Sequence, residues 1–268
     1  ELEHIVIDGG STDQSISIIK KYDQLCQRGQ FPFQCKSFKF IWFSERDEGQ
    51  SDALNKGFSL SSGDILAWLN SDDIYYSNDS LKIVLEAFLK NEADIVMGNL
   101  YVIDEKGRLI DLPLIANGLN NDEFQKILPD IRKIDFIMQP ACFFKRRLWE
   151  TLGISKDCYI MDWVLWIEAY KNHYHFFKIN DYIASYRLQD NAKTVFASKD
   201  KVSNIKRCEE IIAMYNRYGT WCLNRFYYSF YLLLLRVSRY PFIGSFIDLL
   251  IHASRKARNI IALRHKLY

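Results

Sequence analysis

Gly63-Asp64-Ile65-Leu66-Ala67-Trp68-Leu69-Asn70-Ser71-Asp72-Asp73 is the stretch whose reading decides the fold. Five apolar residues, Ile65 to Leu69, run without a charge, as a strand covered on both faces of an α/β sheet does. Asn70-Ser71-Asp72-Asp73 then sets two adjacent carboxylates at the strand's carboxyl end, where open α/β sheets bind ligands. Neighbouring carboxylates repel, and a cation shared with a ligand offsets that repulsion, so Mg²⁺ or Mn²⁺ held together with a diphosphate fits. The bare tetrapeptide would serve equally as a solvated Asp-Asp turn or a helix cap.

Working outward, Ile5 to Ile7 is a short apolar strand and Asp8-Gly9-Gly10 a turn that lets the backbone approach a ligand. Ser11, Thr12 and Asp13 are N-cap residues for a helix carrying Ile16, Ile19, Tyr22 and Leu25 on one stripe. Strand, glycine turn and capped helix together make a mononucleotide-binding unit, with an Asx turn as the alternative role for Asp8. Residues 26–37 read as a loop. Phe38 to Phe43 is a strand delivering Glu45 and Asp47, and Ser51 or Asp52 caps a helix from Ala53 to about Leu60 that carries Lys56. From spacing alone Lys56 is a solvated lysine.

The run from Glu45 through Gln50 and Asp52 to Gly57, followed by Gly63-Asp64 and the strand into Asn70-Ser71-Asp72-Asp73, resembles the donor half of family 2 inverting glycosyltransferases. Val6-Ile7-Asp8-Gly9-Gly10-Ser11-Thr12-Asp13 is similar to the same family's second-strand motif, and the resemblance extends to about residue 190. It implies a glycosyltransferase-A-like α/β fold, a three-layer α/β/α sandwich on a mixed, mostly parallel sheet. It also implies a nucleotide pocket drawn from Asp8, Glu45, Asp47, Gln50, Asp52, Lys56, Asn70 and Asp72, and a divalent cation on Asp72 and Asp73. Asn70 stands where the family frequently has Asp, so the cation is assigned to the following pair. The family has a strand and helix before its second-strand motif, so the sequence is expected to be N-terminally incomplete.

Downstream, Leu81 to Lys90 is an amphipathic helix. Asp94 to Gly98, Leu100 to Asp104 and Arg108 to Leu112 are strands, and residues 113–133 give weak signals read as a loop and short helix. Ile134 to Phe144, with Gln139-Pro140-Ala141-Cys142-Phe143-Phe144, resembles a family segment lining the acceptor side. Trp163, Trp166, Ile167 and Tyr170 recur at helical spacing, so a helix starts near Asp162. A structural N-cap is one role for that acid. The resemblance implies another: the family places its catalytic carboxylate before an aromatic in this element, which makes Asp162 the base that deprotonates the acceptor hydroxyl. Phe176 to Ile179 and Ile183 to Arg187 are strands. Tyr186 to Thr194 resembles a loop closing over donor phosphates, with Gln189 where the family often has histidine, and Arg187 and Lys193 as diphosphate contacts or ordinary surface charge.

Composition bounds the rest. Of 268 residues, 49% are apolar and 25% charged, a globular balance for one α/β domain with an appendage. Six cysteines without a C-x-x-C pair read as reduced thiols, hence a cytosolic compartment, and no secretory signal opens the sequence. The net charge of +2 hides an asymmetry, because residues 219–268 hold eight Lys or Arg and a single acid. Val202 to Tyr218 is an amphipathic helix. Phe226 to Leu235 and Ile243 to Ile251 are apolar but interrupted by Arg236, Arg239 and Pro241, which suits an in-plane helical hairpin on the inner face of the plasma membrane, or an accessory helical subdomain. The division is therefore a catalytic domain over 1–200 and a basic helical extension over 201–268.

The expected function is inverting transfer from a nucleotide-sugar, a UDP-sugar favoured, to a saccharide or lipid-linked acceptor in surface glycan synthesis. A non-catalytic sugar-nucleotide-binding or membrane-docking module is the alternative, and nucleic acid is not an expected partner.

Overall fold

The computed structural model describes residues 1–112, 114–156, 158–189, 200–219 and 223–237. From the amino end these form β1 (Leu2–Asp8), α1 (Ser15–Gln27), β2 (Phe38–Ser44), α2 (Gln50–Leu60), β3 (Ile65–Leu66), β4 (Ile74–Tyr75), α3 (Ser80–Lys90), β5 (Ile95–Ile103) and β6 (Leu109–Ile110). There follow α4 (Asn121–Ile127), β7 (Cys142–Lys145), α5 (Arg146–Leu152), α6 (Met161–Lys171), β8 (Phe176–Arg187), α7 (Lys201–Arg217) and α8 (Leu223–Val237).

β1 and β2 pair in parallel as a two-stranded sheet, and the main sheet has the order β3-β7-β5-β8-β4, with β6 also on β5. Its mixed character agrees with expectation. Parallel pairing among the described strands is confined to β1–β2 and β5–β8, and the other pairs are antiparallel. The reason is that β4, β6 and β7 are short segments laid back along neighbours that run the other way, a geometry antiparallel pairing accommodates.

Two cores flank the sheet, giving the three layers. α3 covers one face, where Val84, Ala87 and Phe88 meet Val96, Leu100, Val102 and Ile183. α4, α6 and α7 cover the other, where Phe124, Trp166 and Tyr215 join Ile95, Met97, Phe144 and Phe176. α7 is thus built into the main core, and Tyr218 at its end donates from its hydroxyl to Glu168 at 2.6 Å. α8 packs on α7 through Tyr231, Leu232 and Leu235 against Cys208. The expected segments Lys193, Arg239, Pro241 and Ile243 to Ile251 lie outside the described residues. Cys26, Cys35, Cys142, Cys158 and Cys208 are free thiols, and among the described residues no helix is long and apolar enough to cross a membrane.

Several boundaries differ from expectation. α2 begins at Gln50 with Gly49 as its N-cap at φ 111°, a left-handed conformation that favours glycine, so Ser51 and Asp52 lie inside the first turn. Asp52 instead reaches back to accept from the Glu48 amide at 3.2 Å. α1 starts after Gln14, with Asp13 accepting from the Ser15 amide at 2.9 Å. The uncharged run from Ile65 to Leu69 is regular strand only at Ile65 and Leu66.

The expected short strands fuse into two long ones, β5 and β8, because the break in pattern at Gly98 and Asn99 is a register shift rather than a strand end. A side chain on Gly98 would collide with Ile183, whose Cβ lies 2.9 Å from the ideal Cβ position, with the Asp181 carbonyl at 3.1 Å. Gly98→Ala should therefore destabilise the fold by about 1–3 kcal/mol. Chemical denaturation reads this, and an unchanged midpoint would show that β8 yields freely.

Candidate functional site

The carboxyl ends of β3, β5 and β8 point the same way, and the residues singled out in the sequence gather there. β3 leads into Asn70, whose side-chain oxygen accepts from Gln50 at 2.8 Å and whose amide donates to Asp73 at 3.3 Å. Asp73 is only 4% exposed, and its other oxygen accepts from the Arg187 amide at 2.9 Å, tying the loop to the end of β8. Asp72 is half-buried and its carboxylate accepts from Gln189 at 2.7 Å. The Arg187 guanidinium is occupied by the carbonyls of Asp72, Asp104 and Glu105, so it clamps the loops together.

Burial, reinforced by the Asp72 charge, pushes the Asp73 carboxyl up to about 6. A raised carboxyl costs the fold nothing while it is protonated, and the cost grows as pH rises from about 4 to about 6. Asp73→Asn removes that cost but sets an amide against the Asn70 donor. The variant is therefore expected to be more stable than the parent by about 1–2 kcal/mol at pH 8, and no more stable at pH 4. Urea unfolding at the two pH values checks the change of sign, and the same difference at both would contradict a buried, raised carboxyl.

Upstream, the Asp8-Gly9-Gly10 turn forms the second wall. Asp8 is 8% exposed and its Oδ2 accepts from the amides of Gly10 and Ser11 at 3.0 Å and the Ser44 hydroxyl at 2.8 Å. The Asx-turn alternative is therefore formed, and the Ser11 hydroxyl foremost, with these bonds, holds the carboxyl below its usual range. Gly10 sits at φ 87°, a left-handed conformation that favours glycine, and Gly9 packs against Asp47, whose Oδ2 lies 2.6 Å from the ideal Cβ position. Lys56 bridges Glu45 at 2.8 Å and Asp52 at 3.0 Å, and these two bonds hold its ammonium above the usual range.

Asp162 comes to this end by topology. α6 runs down to Asn172 and turns through His173, at φ 60°, to His175, whose carbonyl accepts from the Asp94 and Ile95 amides at the start of β5. The last turn of α6 is thus at the amino end of β5, and the helix rises toward the carboxyl end of β3, with Asp162 in its first turn. Trp166 stacks on Trp68 at 6.0 Å and 11°, which docks the helix on the segment leading to Asn70. Ser51, next to Gln50, donates to the Met161 sulfur at 3.1 Å, next to Asp162. Ile160 is the N-cap, so Asp162 lies one position inside the first turn, where its Oδ1 accepts from the Trp163 amide at 2.9 Å.

A second carboxylate in this region escaped the sequence reading. Desolvation by the surrounding protein, then the Asp162 charge, holds the Asp135 carboxyl well above the usual range. The available signal was that Asp135 is the lone charge between Ile134 and Phe144. Beneath the pair, Cys142 is an inert buried thiol, pushed up by burial and by both carboxylates. Buried Lys178 donates to Asn99 and the Ile179 carbonyl, both at 2.6 Å, and burial lowers it to about 8.

Among the described residues no group of three or more His, Cys, Asp or Glu side chains converges as a cation cage. A cation that takes most of its ligands from a nucleotide's phosphates needs one or two carboxylates only, and half-buried Asp72 suits that role.

A match to the family described as Glycosyl transferase family 2 spans residues 1–153. The chain belongs to this family. An uncharacterized glycosyltransferase of Nostoc is 29% identical over 111 residues, 41% of this chain and 31% of the relative, so the family 2 chain spans under a third of that protein's length. A mannosyltransferase of Pyrobaculum calidifontis, solved with GDP-Man and Mn²⁺, matches at TM-score 0.56 and 14% identity, covering 100% of this chain and 78% of its own. TarS 1–349 of S. aureus with UDP-GlcNAc matches at TM-score 0.51 and 15% identity, over 80% of this chain and 63% of its own. At these identities the likeness is one of fold, and it agrees with the nucleotide-diphospho-sugar transferase architecture of the family 2 chain.

Proposed function

We propose that the chain transfers a sugar from a nucleoside-diphosphate-sugar to a saccharide or lipid-linked acceptor, with inversion at the anomeric carbon. One observation carries this reading: the first turn of α6, which holds Asp162, contacts Ser51 through Met161, beside Gln50 that donates to Asn70 at the end of β3. Inverting displacement needs a base on the acceptor side of the sugar and neutralisation of the leaving diphosphate on the other.

In this reading Asp162 takes the acceptor hydroxyl's proton as its oxygen attacks the anomeric carbon. Asp8, Glu45, Asp47, Gln50, Asp52, Lys56 and Asn70 shape the nucleotide pocket, with Lys56 offsetting two of its acids. Asp72 would hold Mg²⁺ or Mn²⁺ against the diphosphate, and such a cation supplies charge neutralisation to the leaving group. Asp73, with both oxygens engaged, is the strut that fixes Asp72. The fold neighbours solved with UDP-GlcNAc and with GDP-Man and Mn²⁺ support a nucleotide-sugar donor and a divalent ion without choosing the base.

Peripheral membrane contact belongs to the same proposal. α8 turns Tyr231, Leu232 and Leu235 toward α7 and leaves Phe226, Phe230 and Leu233 exposed on its outer side. Such a face beside a basic sequence suits an acidic lipid surface, where a lipid-linked acceptor would be met.

Calorimetry with UDP, GDP and dTDP plus Mn²⁺, followed by a donor-sugar turnover screen, tests the function. Metal-dependent binding of one nucleotide with turnover of its sugar is expected. Binding without turnover would favour the non-catalytic module.

A further inference from the structure

Three tyrosines, two from strands and one just past β4, meet on the sheet face opposite α3. Tyr101 of β5 and Tyr182 of β8 stack at 3.9 Å and 12°, and Tyr76, just past β4, lies 4.8 Å from Tyr101 and 6.3 Å from Tyr182. Their facing follows from their neighbours, since Tyr75, Leu100, Val102 and Ile183 all point into the α3-side core and alternate residues point away. The tyrosines therefore share the face that carries α6. They are not sealed beneath it: Tyr76 is 52% exposed, and Tyr101 and Tyr182 are half-buried.

Their position along β8 relates them to the candidate site. Tyr182 lies between Lys178, which shares an electrostatic neighbourhood with Cys142, Asp135 and Asp162, and Arg187, which grips the Asp72 carbonyl. Because β8 is bulged, the stretch from Lys178 to Arg187 lies alongside only Met97 to Ile103 of β5, about 20 Å of strand, and Tyr101 and Tyr182 fall within it.

A solvent-facing cluster of aromatic rings with hydroxyl edges has a chemistry of its own. Ring faces pack on the C–H-bearing face of a pyranose, and phenol hydroxyls hydrogen-bond at its rim. Packing alone accounts for Tyr101 and Tyr182, which stabilise adjacent strands as a cross-strand pair. It does not account for Tyr76, half of whose surface is given to water beside two other rings.

We propose that Tyr76, Tyr101 and Tyr182 form a saccharide-stacking subsite that holds a pyranosyl unit of the acceptor, with Tyr76 as its exposed wall. This rests on the transferase reading for the word acceptor, but the subsite is testable without turnover.

The full chain, saturated with the nucleotide it binds and with Mg²⁺, is titrated with methyl β-D-glucopyranoside, methyl α-D-mannopyranoside and chitobiose and followed by saturation-transfer NMR. At least one probe should receive saturation, concentrated on the C–H protons of one ring face. Tyr76→Ala should weaken that binding about tenfold and Tyr76→Phe should keep it, with nucleotide affinity and thermal stability unchanged in both. No saturation of any probe by the parent chain, or equal binding by Tyr76→Ala, overturns the subsite while leaving nucleotide binding to judge the transferase reading. Loss of nucleotide and saccharide binding together in Tyr76→Ala would mark the residue as structural and overturns it as well.

Discussion

Asp162→Asn is expected to lower sugar transfer by about 10²–10⁴-fold while nucleotide affinity stays within a few fold. The substitution is close to isosteric and keeps an oxygen that can accept from the Trp163 amide, so the first turn of α6 retains its local bond. It removes the charge and with it the capacity to take a proton. The structural cost is confined to the favourable charge–dipole term of a first-turn acid, about 0.3–1 kcal/mol. Kinetics with paired calorimetry separates the roles: a fall in turnover alone marks a base, and a matched fall in turnover and affinity marks a structural cap.

Asp72→Asn should weaken metal-dependent donor binding about a hundredfold, close to 2.7 kcal/mol, and change little in EDTA. The Gln189 amide now donates to this carboxylate at 2.7 Å, and an asparagine can still offer it an oxygen. What disappears is the negative charge beside a half-exposed, solvent-reachable position. Asp73 is buried, and the Arg187 amide and Asn70 each bond one of its oxygens, so Asp72 is the more open of the two carboxylates. Titrations of the nucleotide with Mn²⁺ and with EDTA measure the difference, and an unchanged Mn²⁺ dependence would remove the cation from Asp72.

The parts of the fold legible in the sequence were those whose signal is local. The α6 stripe of Trp163, Trp166, Ile167 and Tyr170 announces a helix starting beside Asp162, and the structure starts it at Met161. The α2 boundary was missed because Asp52 resembles a cap, whereas Gly49 can adopt the left-handed conformation that the chain entry requires. β5 and β8 each looked like two strands because a bulge breaks the alternation at Gly98 and Asn99, and only pairing to the neighbouring strand shows continuity. Strand direction in the sheet was hidden for the same reason: β4, β6 and β7 are too short to carry a pattern of their own.

At the site, single residues were legible and their alliances were not. The sequence points to Asp72, Asp73, Asp8 and Asp162, but it cannot say that Asp73 and Asp8 are bound up in holding loops. Arg187, read as a diphosphate contact or as ordinary surface charge, binds three carbonyls from segments distant in sequence through Nε and Nη1, a role that no local pattern announces. Asp135 shows in the sequence as a lone charge in an apolar run. Its meaning comes only from the folding of that run beside the start of α6.

The account depends on one cleft at the carboxyl ends of the strands, with Asp72 and Asp162 on either side of a sugar. A crystal structure of the chain with Mn²⁺ and the nucleotide-sugar selected by the donor screen tests this most directly. The diphosphate should lie beside Asp72, the nucleoside against the Asp8 to Gly10 turn, and the anomeric carbon should face the Asp162 carboxylate. A nucleotide bound elsewhere, or a sugar turned away from Asp162, would contradict it.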